Sequence, residues 1–147
     1  MSNISQNQAR TYRNVGVNSS DPGKLVLLLY EGAIRYLGIA MEKIEQKKME
    51  EGHNFLVRGK SIIAELMASL NMRDGDEISV NLQAIYAYIY DRLIDANLNK
   101  DPKIIHEVRE LLKTLHVGWE AIYTGKQNSD SAGQNQTQNK KQLNVSV

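Results

Sequence analysis

Apolar residues recur three and four positions apart over long windows of the chain, whereas the alternation typical of strands is hard to find. The pattern therefore predicts an all-α protein. Four stretches carry it, at residues 22–46, 53–71, 77–98 and 102–123. Because the stretches are long and the links between them are short, we expect an antiparallel four-helix bundle.

Proline and glycine mark the ends of these predicted helices. The chain has only two prolines, Pro22 and Pro102, and each follows an aspartate whose side chain can cap the first turn. A turn is expected at residues 73–76, where Gly75 can adopt the left-handed conformation. Gly125 is expected to stop the last helix.

The two ends of the chain differ from the helical part in composition. Residues 1–20 are polar, and residues 125–147 are rich in Asn and Gln and have no aromatic residue. The second segment buries too little apolar surface to offset the entropy cost of ordering it. We therefore predict a short N-terminal arm over 1–20, a bundle domain over 21–124 and a disordered tail over 125–147.

The overall composition excludes several classes of function. A balance of 18 basic and 17 acidic residues gives no strong field for nucleic acid or for anionic lipid. There is no run of about 18 apolar residues, so we expect no stable membrane insertion. The chain has no cysteine and its N-terminus does not resemble a signal peptide, which fits a cytoplasmic protein without disulfides.

No arrangement of side chains typical of catalysis or of a metal site stands out. His53, His106 and His116 are widely spaced, and the two on the last helix have no carboxylate at a metal-site spacing. We therefore predict no catalytic residue, no cofactor and no metal. The protein is expected to work by holding another protein's helices.

Helices 1 and 3 carry more apolar surface than a bundle helix needs. On helix 1 two neighbouring faces are apolar. On helix 3, Tyr86, Tyr90 and Ile94 continue around one side of the core stripe, and Tyr88 lies on the other. One interpretation is a helix 1 that its neighbours surround. The alternative is a groove for a partner, which we favour because tyrosine suits surfaces that are alternately wet and buried.

Several short motifs occur in an order that resembles a known family. The most specific begins at Pro22-Gly23-Lys24-Leu25 and continues through Leu28-Leu29-Tyr30-Glu31-Gly32-Ala33-Ile34. It is followed by residues 60–66, Leu70-Asn71, Asn81-Leu82, residues 85–88, Leu93, Ala96-Asn97 and Trp119. In order and spacing these motifs resemble the flagellar secretion chaperone FliS family over about residues 9–123. Ala87 departs from the pattern, because the family often has an acidic residue there.

The resemblance implies a cytoplasmic chaperone that binds the C-terminal segment of newly made flagellin. Such a chaperone blocks premature polymerisation and helps to deliver its client to export gate components of the flagellar type III apparatus. The resemblance also implies that the arm docks on the bundle through Tyr12 when the client is absent. Two rival interpretations stay open: a homodimer formed through the surplus stripe, and a helical regulator that holds another client.

We expect the partner-binding residues on the arm and on the apolar faces of helices 1 and 3. In the arm, Tyr12 and Val15 are three residues apart and would share one side of a helical turn. The full predicted set is Tyr12, Val15, Leu25, Leu28, Leu29, Tyr30, Ile34, Leu82, Tyr86, Tyr90 and Leu93.

Overall fold

The computed structural model describes residues 21–70 and 76–145, with side chains described as far as residue 126. Within these residues the chain forms four helices. They are α1 (Pro22–Glu45), α2 (Met49–Ala68), α3 (Glu77–Asn99) and α4 (Pro102–Val145). The predictions for the arm, including Tyr12 and Val15, and for the turn at Gly75 lie outside the described residues.

Aspartate side chains cap three of the four helices. Asp21, Asp76 and Asp101 each accept a hydrogen bond from the backbone N–H two residues later, at 3.1, 3.1 and 2.9 Å. In two cases the next residue is Pro22 or Pro102, whose missing N–H needs no partner in the first turn. The predicted starts of the first and last helices are confirmed.

The second helix begins earlier than predicted, at Met49 instead of residue 53. Glu50 and Glu51 lie in its first turn, where carboxylates interact favourably with the partial positive charge of a helix N-terminus. The charged stretch between the helices is therefore partly helical. Lys47, with φ 65°, makes the tight turn that remains.

The fourth helix does not end at Gly125, and it continues to Val145. Glycine in a helix interior costs about 1 kcal/mol relative to alanine, so it weakens a helix without necessarily ending it. The last direct contact described between α4 and the start of α1 is the Tyr123 hydroxyl, which donates to Asp21 Oδ2 at 2.8 Å. The division between a bundle domain and a tail at residues 125–147 stays a prediction.

The helices form a square in which each contacts its two neighbours. α1 packs against α2 and α4, and α3 packs against the same two helices, so α1 and α3 lie on a diagonal. Neighbours run in opposite directions: Tyr123 meets the start of α1, while the earlier Arg109 donates from Nε to the Ile34 carbonyl at 3.0 Å. The predicted all-α, antiparallel four-helix bundle is confirmed.

Glycines allow α1 and α2 to approach closely. A Cβ on Gly59 would lie 2.7 Å from Leu37 Cδ2, and a Cβ on Gly52 would lie 2.7 Å from Ile44 Cγ1. Both distances are too short for an added methyl group, so side chains of α1 occupy the space that the glycines leave. This close contact covers α1 along one side and accounts for part of its wide apolar stripe.

Candidate partner-binding surface

Two tyrosines on diagonally opposed helices meet in the centre of the bundle. The hydroxyl oxygens of Tyr30 on α1 and Tyr86 on α3 lie 2.5 Å apart and share a hydrogen bond. Trp119 on α4 donates from Nε1 to the Tyr30 hydroxyl at 3.1 Å. The side chains of Tyr30 and Tyr86 are 0% and 1% exposed. Their hydroxyls therefore satisfy one another away from water, as buried polar groups require.

Burial has a direct effect on how these hydroxyls ionise. It raises the pKa of the Tyr30 hydroxyl well above its ordinary value, and the neighbouring Tyr86 adds to the rise. Burial raises the pKa of Tyr86 in the same way. Both groups consequently stay protonated, and each retains the proton that the shared hydrogen bond needs.

The position of Tyr30 and Tyr86 corrects the prediction that placed them beyond the core. Leu29, Leu82 and Leu93, which were also expected at the partner surface, are buried in the same core. The physical reason is the diagonal arrangement, because α1 and α3 each face two neighbouring helices as well as the centre. Their wide apolar stripes are largely core, and these five side chains are inaccessible to a partner in this conformation.

Four other predicted residues remain partly accessible: Leu25, Leu28 and Ile34 on α1, and Tyr90 on α3. Ile34 packs against the core, as does Tyr90. The structure does not bring the α1 set and Tyr90 together, since α1 and α3 are not neighbours. One groove shared by helices 1 and 3 is therefore not present among the described residues.

A groove does lie between α2 and α3, with a volume of about 430 Å³. On its α3 side the groove is lined by Ile94 and Leu98, and Tyr90 precedes Ile94 by four residues, so all three follow one face of the helix. Exposure rises along this stripe, to 36% at Ile94 and 78% at Leu98. The groove is lined by His53, Lys60, Ile94, Asn97, Leu98 and Lys100.

Sequence reasoning found only part of this surface. The sequence predicts Tyr90 and Ile94 on an apolar side of helix 3. Ile94 lines the groove, and Tyr90 lies beside it, with its ring under the lining residue Lys60. Leu98 is not in the predicted set, because in the sequence it is simply the last residue of the predicted third helix. The spacing of four from Ile94 is the signal that would have found it.

The polar side chains of the groove form a short hydrogen-bonded chain. Asn97 Nδ2 lies 2.9 Å from His53 Nδ1. Lys100 donates from Nζ to Asn97 Oδ1 and to the Asn97 carbonyl, both at 2.6 Å. Lys60 Nζ lies 5.5 Å from the centroid of the Tyr90 ring, an arrangement typical of a cation–π contact. The groove thus combines aliphatic surface with positioned cations.

A polar network occupies the opposite side of α3, towards α4. Tyr88 donates its hydroxyl proton to Glu107 Oε1 at 2.5 Å, and Arg92 Nη2 lies 2.8 Å from Glu107 Oε2. These two hydrogen bonds hold the pKa of the Glu107 carboxyl below its ordinary value. The network joins α3 to α4 through charged and polar side chains.

Neither a metal site nor a membrane-spanning helix occurs among the described residues. No three histidine, aspartate or glutamate side chains there stand close enough to hold a metal ion. In the same part of the chain no helix is long and apolar enough to cross a membrane.

Comparison with known proteins connects this bundle to a family. The family model described as flagellar protein FliS matches residues 5–126, which include every helix contact described above. The chain belongs to the FliS family. It is 32% identical to the flagellar secretion chaperone FliS of Bacillus subtilis over 129 residues, which cover 87% of this chain and 96% of that protein.

Two further relatives are also named flagellar secretion chaperones. The flagellar secretion chaperone FliS of Salmonella typhimurium is 35% identical over 72% of this chain and 79% of its own length. FliSB of Pseudomonas aeruginosa is 30% identical over 72% of this chain and 84% of its own length. The resemblance to the FliS family that the sequence motifs carry is thus confirmed.

Proposed function

We propose that this FliS-family chain is a cytoplasmic export chaperone that binds the C-terminal segment of flagellin. In this role it prevents premature polymerisation of flagellin and assists its delivery to the flagellar type III export apparatus. The observation that carries the proposal is the exposed aliphatic pair of Ile94 and Leu98 in a groove of a FliS-family bundle, with the partly buried Tyr90 one turn before Ile94 on the same face. The relatives are named flagellar secretion chaperones, which supports the chaperone role and the flagellar pathway, and the flagellin client is what the family resemblance implies.

The stripe suits a client that must be held and later released. An apolar segment can lay its side chains into a groove between two helices, and burying one aliphatic side chain fully is worth about 1.5–3 kcal/mol. A client that is disordered when free also loses conformational entropy on binding, which lowers the net affinity. The small groove and this entropy cost together favour reversible binding.

Calorimetry with a peptide of the flagellin C-terminal segment tests the proposal. The double variant Ile94→Ser, Leu98→Ser should weaken binding by about tenfold or more, because two aliphatic contacts are lost. Val117→Ser is the matched control, since Val117 is 67% exposed on α4, outside the groove. Equal binding by wild type and the double variant would remove the groove from the proposed client site.

Self-association through the same stripe is the alternative that the exposed Leu98 supports, since large exposed aliphatic groups are often covered by a second copy. Sedimentation over a range of concentrations, with and without the peptide, separates the two. A dimer that Leu98→Ser dissociates and that the peptide leaves intact would favour self-association over the chaperone role.

A further inference from the structure

The charged side chains that line the α2–α3 groove all have one sign. Lys60 and Lys100 are cationic, His53 and Asn97 are polar, and no lining residue is a carboxylate. Among the ion pairs described for residues 21–70 and 76–126, none includes either of the two lysines. The groove therefore has positive charge without a partner carboxylate of its own.

These cations are held in place before any ligand arrives. Lys100 Nζ is fixed by its two hydrogen bonds to Asn97, whose amide nitrogen lies beside His53. Because an ammonium group has three N–H bonds, one remains for a ligand. Lys60 is positioned over the Tyr90 ring. Prepositioned charges lose less conformational entropy on binding than free lysines do.

Aliphatic surface lies directly beside this charge. Ile94 and Leu98 are exposed within the same groove, and Asn97 and Lys100 stand between and just beyond them along α3. The groove volume of about 430 Å³ is at the small end for a ligand site and fits the end of a chain better than a whole helix, which is about 10 Å across.

We infer that this groove binds the free α-carboxylate of the client's last residue, with the lysines around the carboxylate and aliphatic client side chains on Ile94 and Leu98. This inference rests on the proposed function, which has the client offering a C-terminal segment. A terminal residue presents a carboxylate and a side chain from the same Cα, matching the adjacent cations and aliphatic wall. An internal acidic residue of the client also carries a negative charge, but its peptide chain continues on both sides, and the small groove would have to accommodate both.

Two peptides that differ only in the chemical group at the C-terminus test the inference. One is the flagellin C-terminal segment with a free carboxylate, and the other is the same peptide with a C-terminal amide. By calorimetry at low ionic strength, the amide should bind wild-type protein about three- to tenfold more weakly, since partly exposed ion pairs are individually modest. Added salt should reduce the difference.

A double-mutant cycle places the carboxylate in the groove. In Lys60→Gln the difference in binding free energy between the two peptides should shrink to less than half of its wild-type size. In the double variant Lys60→Gln, Lys100→Gln this difference should vanish. Lys113→Gln is the control, because Lys113 lies on α4 beside Glu110 and should leave the difference at its wild-type size. Circular dichroism of each variant establishes that the bundle is folded.

The outcomes separate the inference from the function beneath it. Equal binding of both peptides to wild type overturns the inference and leaves the chaperone role intact. If the two peptides differ in affinity for Lys60→Gln, Lys100→Gln as much as for wild type, the client carboxylate does not bind in this groove. If neither peptide binds wild-type protein, the proposed function fails and the inference falls with it.

Discussion

Replacing Tyr30 with phenylalanine should destabilise the bundle far more than loss of one exposed hydroxyl would. The hydroxyl of Tyr30 is the oxygen shared by Tyr86 and Trp119 in the centre of the bundle. Tyr30→Phe therefore removes two buried hydrogen bonds at once, one to Tyr86 and one to Trp119. A buried donor or acceptor without a partner costs about 1–3 kcal/mol.

Tyr86→Phe and the double variant Tyr30→Phe, Tyr86→Phe should lower the free energy of unfolding less than Tyr30→Phe alone does. In Tyr86→Phe the Tyr30 hydroxyl still accepts from Trp119, so one hydrogen bond is lost, worth about 0.5–1.5 kcal/mol. In the double variant both hydroxyls are gone and only the Trp119 N–H lacks a partner. The double variant should thus be more stable than the sum of the single changes predicts, with a coupling of about 1 kcal/mol.

Urea unfolding followed by far-ultraviolet circular dichroism measures these differences. Tyr88→Phe is the matched control, because its hydroxyl is also bonded but its side chain is 48% exposed, and surface changes of this kind stay within about 0.5 kcal/mol. If Tyr30→Phe lowers the free energy of unfolding no more than Tyr88→Phe does, the buried hydrogen bond does not contribute as described. Coupling near zero would refute the shared bond between the tyrosines.

Three further expectations concern the two buried tyrosines and two helix glycines. Because the pKa values of Tyr30 and Tyr86 are raised in the folded protein, only the unfolded chain releases these hydroxyl protons near pH 10. The free energy of unfolding, measured by urea unfolding, should therefore fall above pH 10 by about 1.4 kcal/mol per pH unit for each tyrosine. In the variant with both tyrosines replaced by phenylalanine it should fall less steeply. Gly118→Ala should stabilise by about 0.5–1 kcal/mol in thermal unfolding, because no described heavy atom lies within 4 Å of the added methyl. Gly59→Ala should destabilise by about 1–3 kcal/mol, since its methyl would lie 2.7 Å from Leu37; equal effects of the two would contradict the close α1–α2 contact.

Much of the fold was predictable because helices depend on local signals. The spacing of apolar residues located all four helices, and the caps at Asp21 and Asp101 placed two of their starts. Local sequence signals predict the ends of helices less well, because a glycine only disfavours the continuation of a helix. A glycine such as Gly125 raises the free energy of a helix without forbidding it, so the predicted end was wrong.

The use of each apolar face was decided by tertiary structure alone. Periodicity shows that Tyr30 and Tyr86 lie beyond a narrow stripe, but it cannot show whether a neighbour covers them. Their burial follows from placing α1 and α3 across a diagonal, where each hydroxyl supplies the partner that the other needs away from water. Leu98 shows the converse, since its spacing of four from Ile94 places it on the same stripe but cannot show that 78% of it stays exposed. Whether an apolar side chain is core or binding surface depends on which helices stand next to it, and that is a property of the packed bundle.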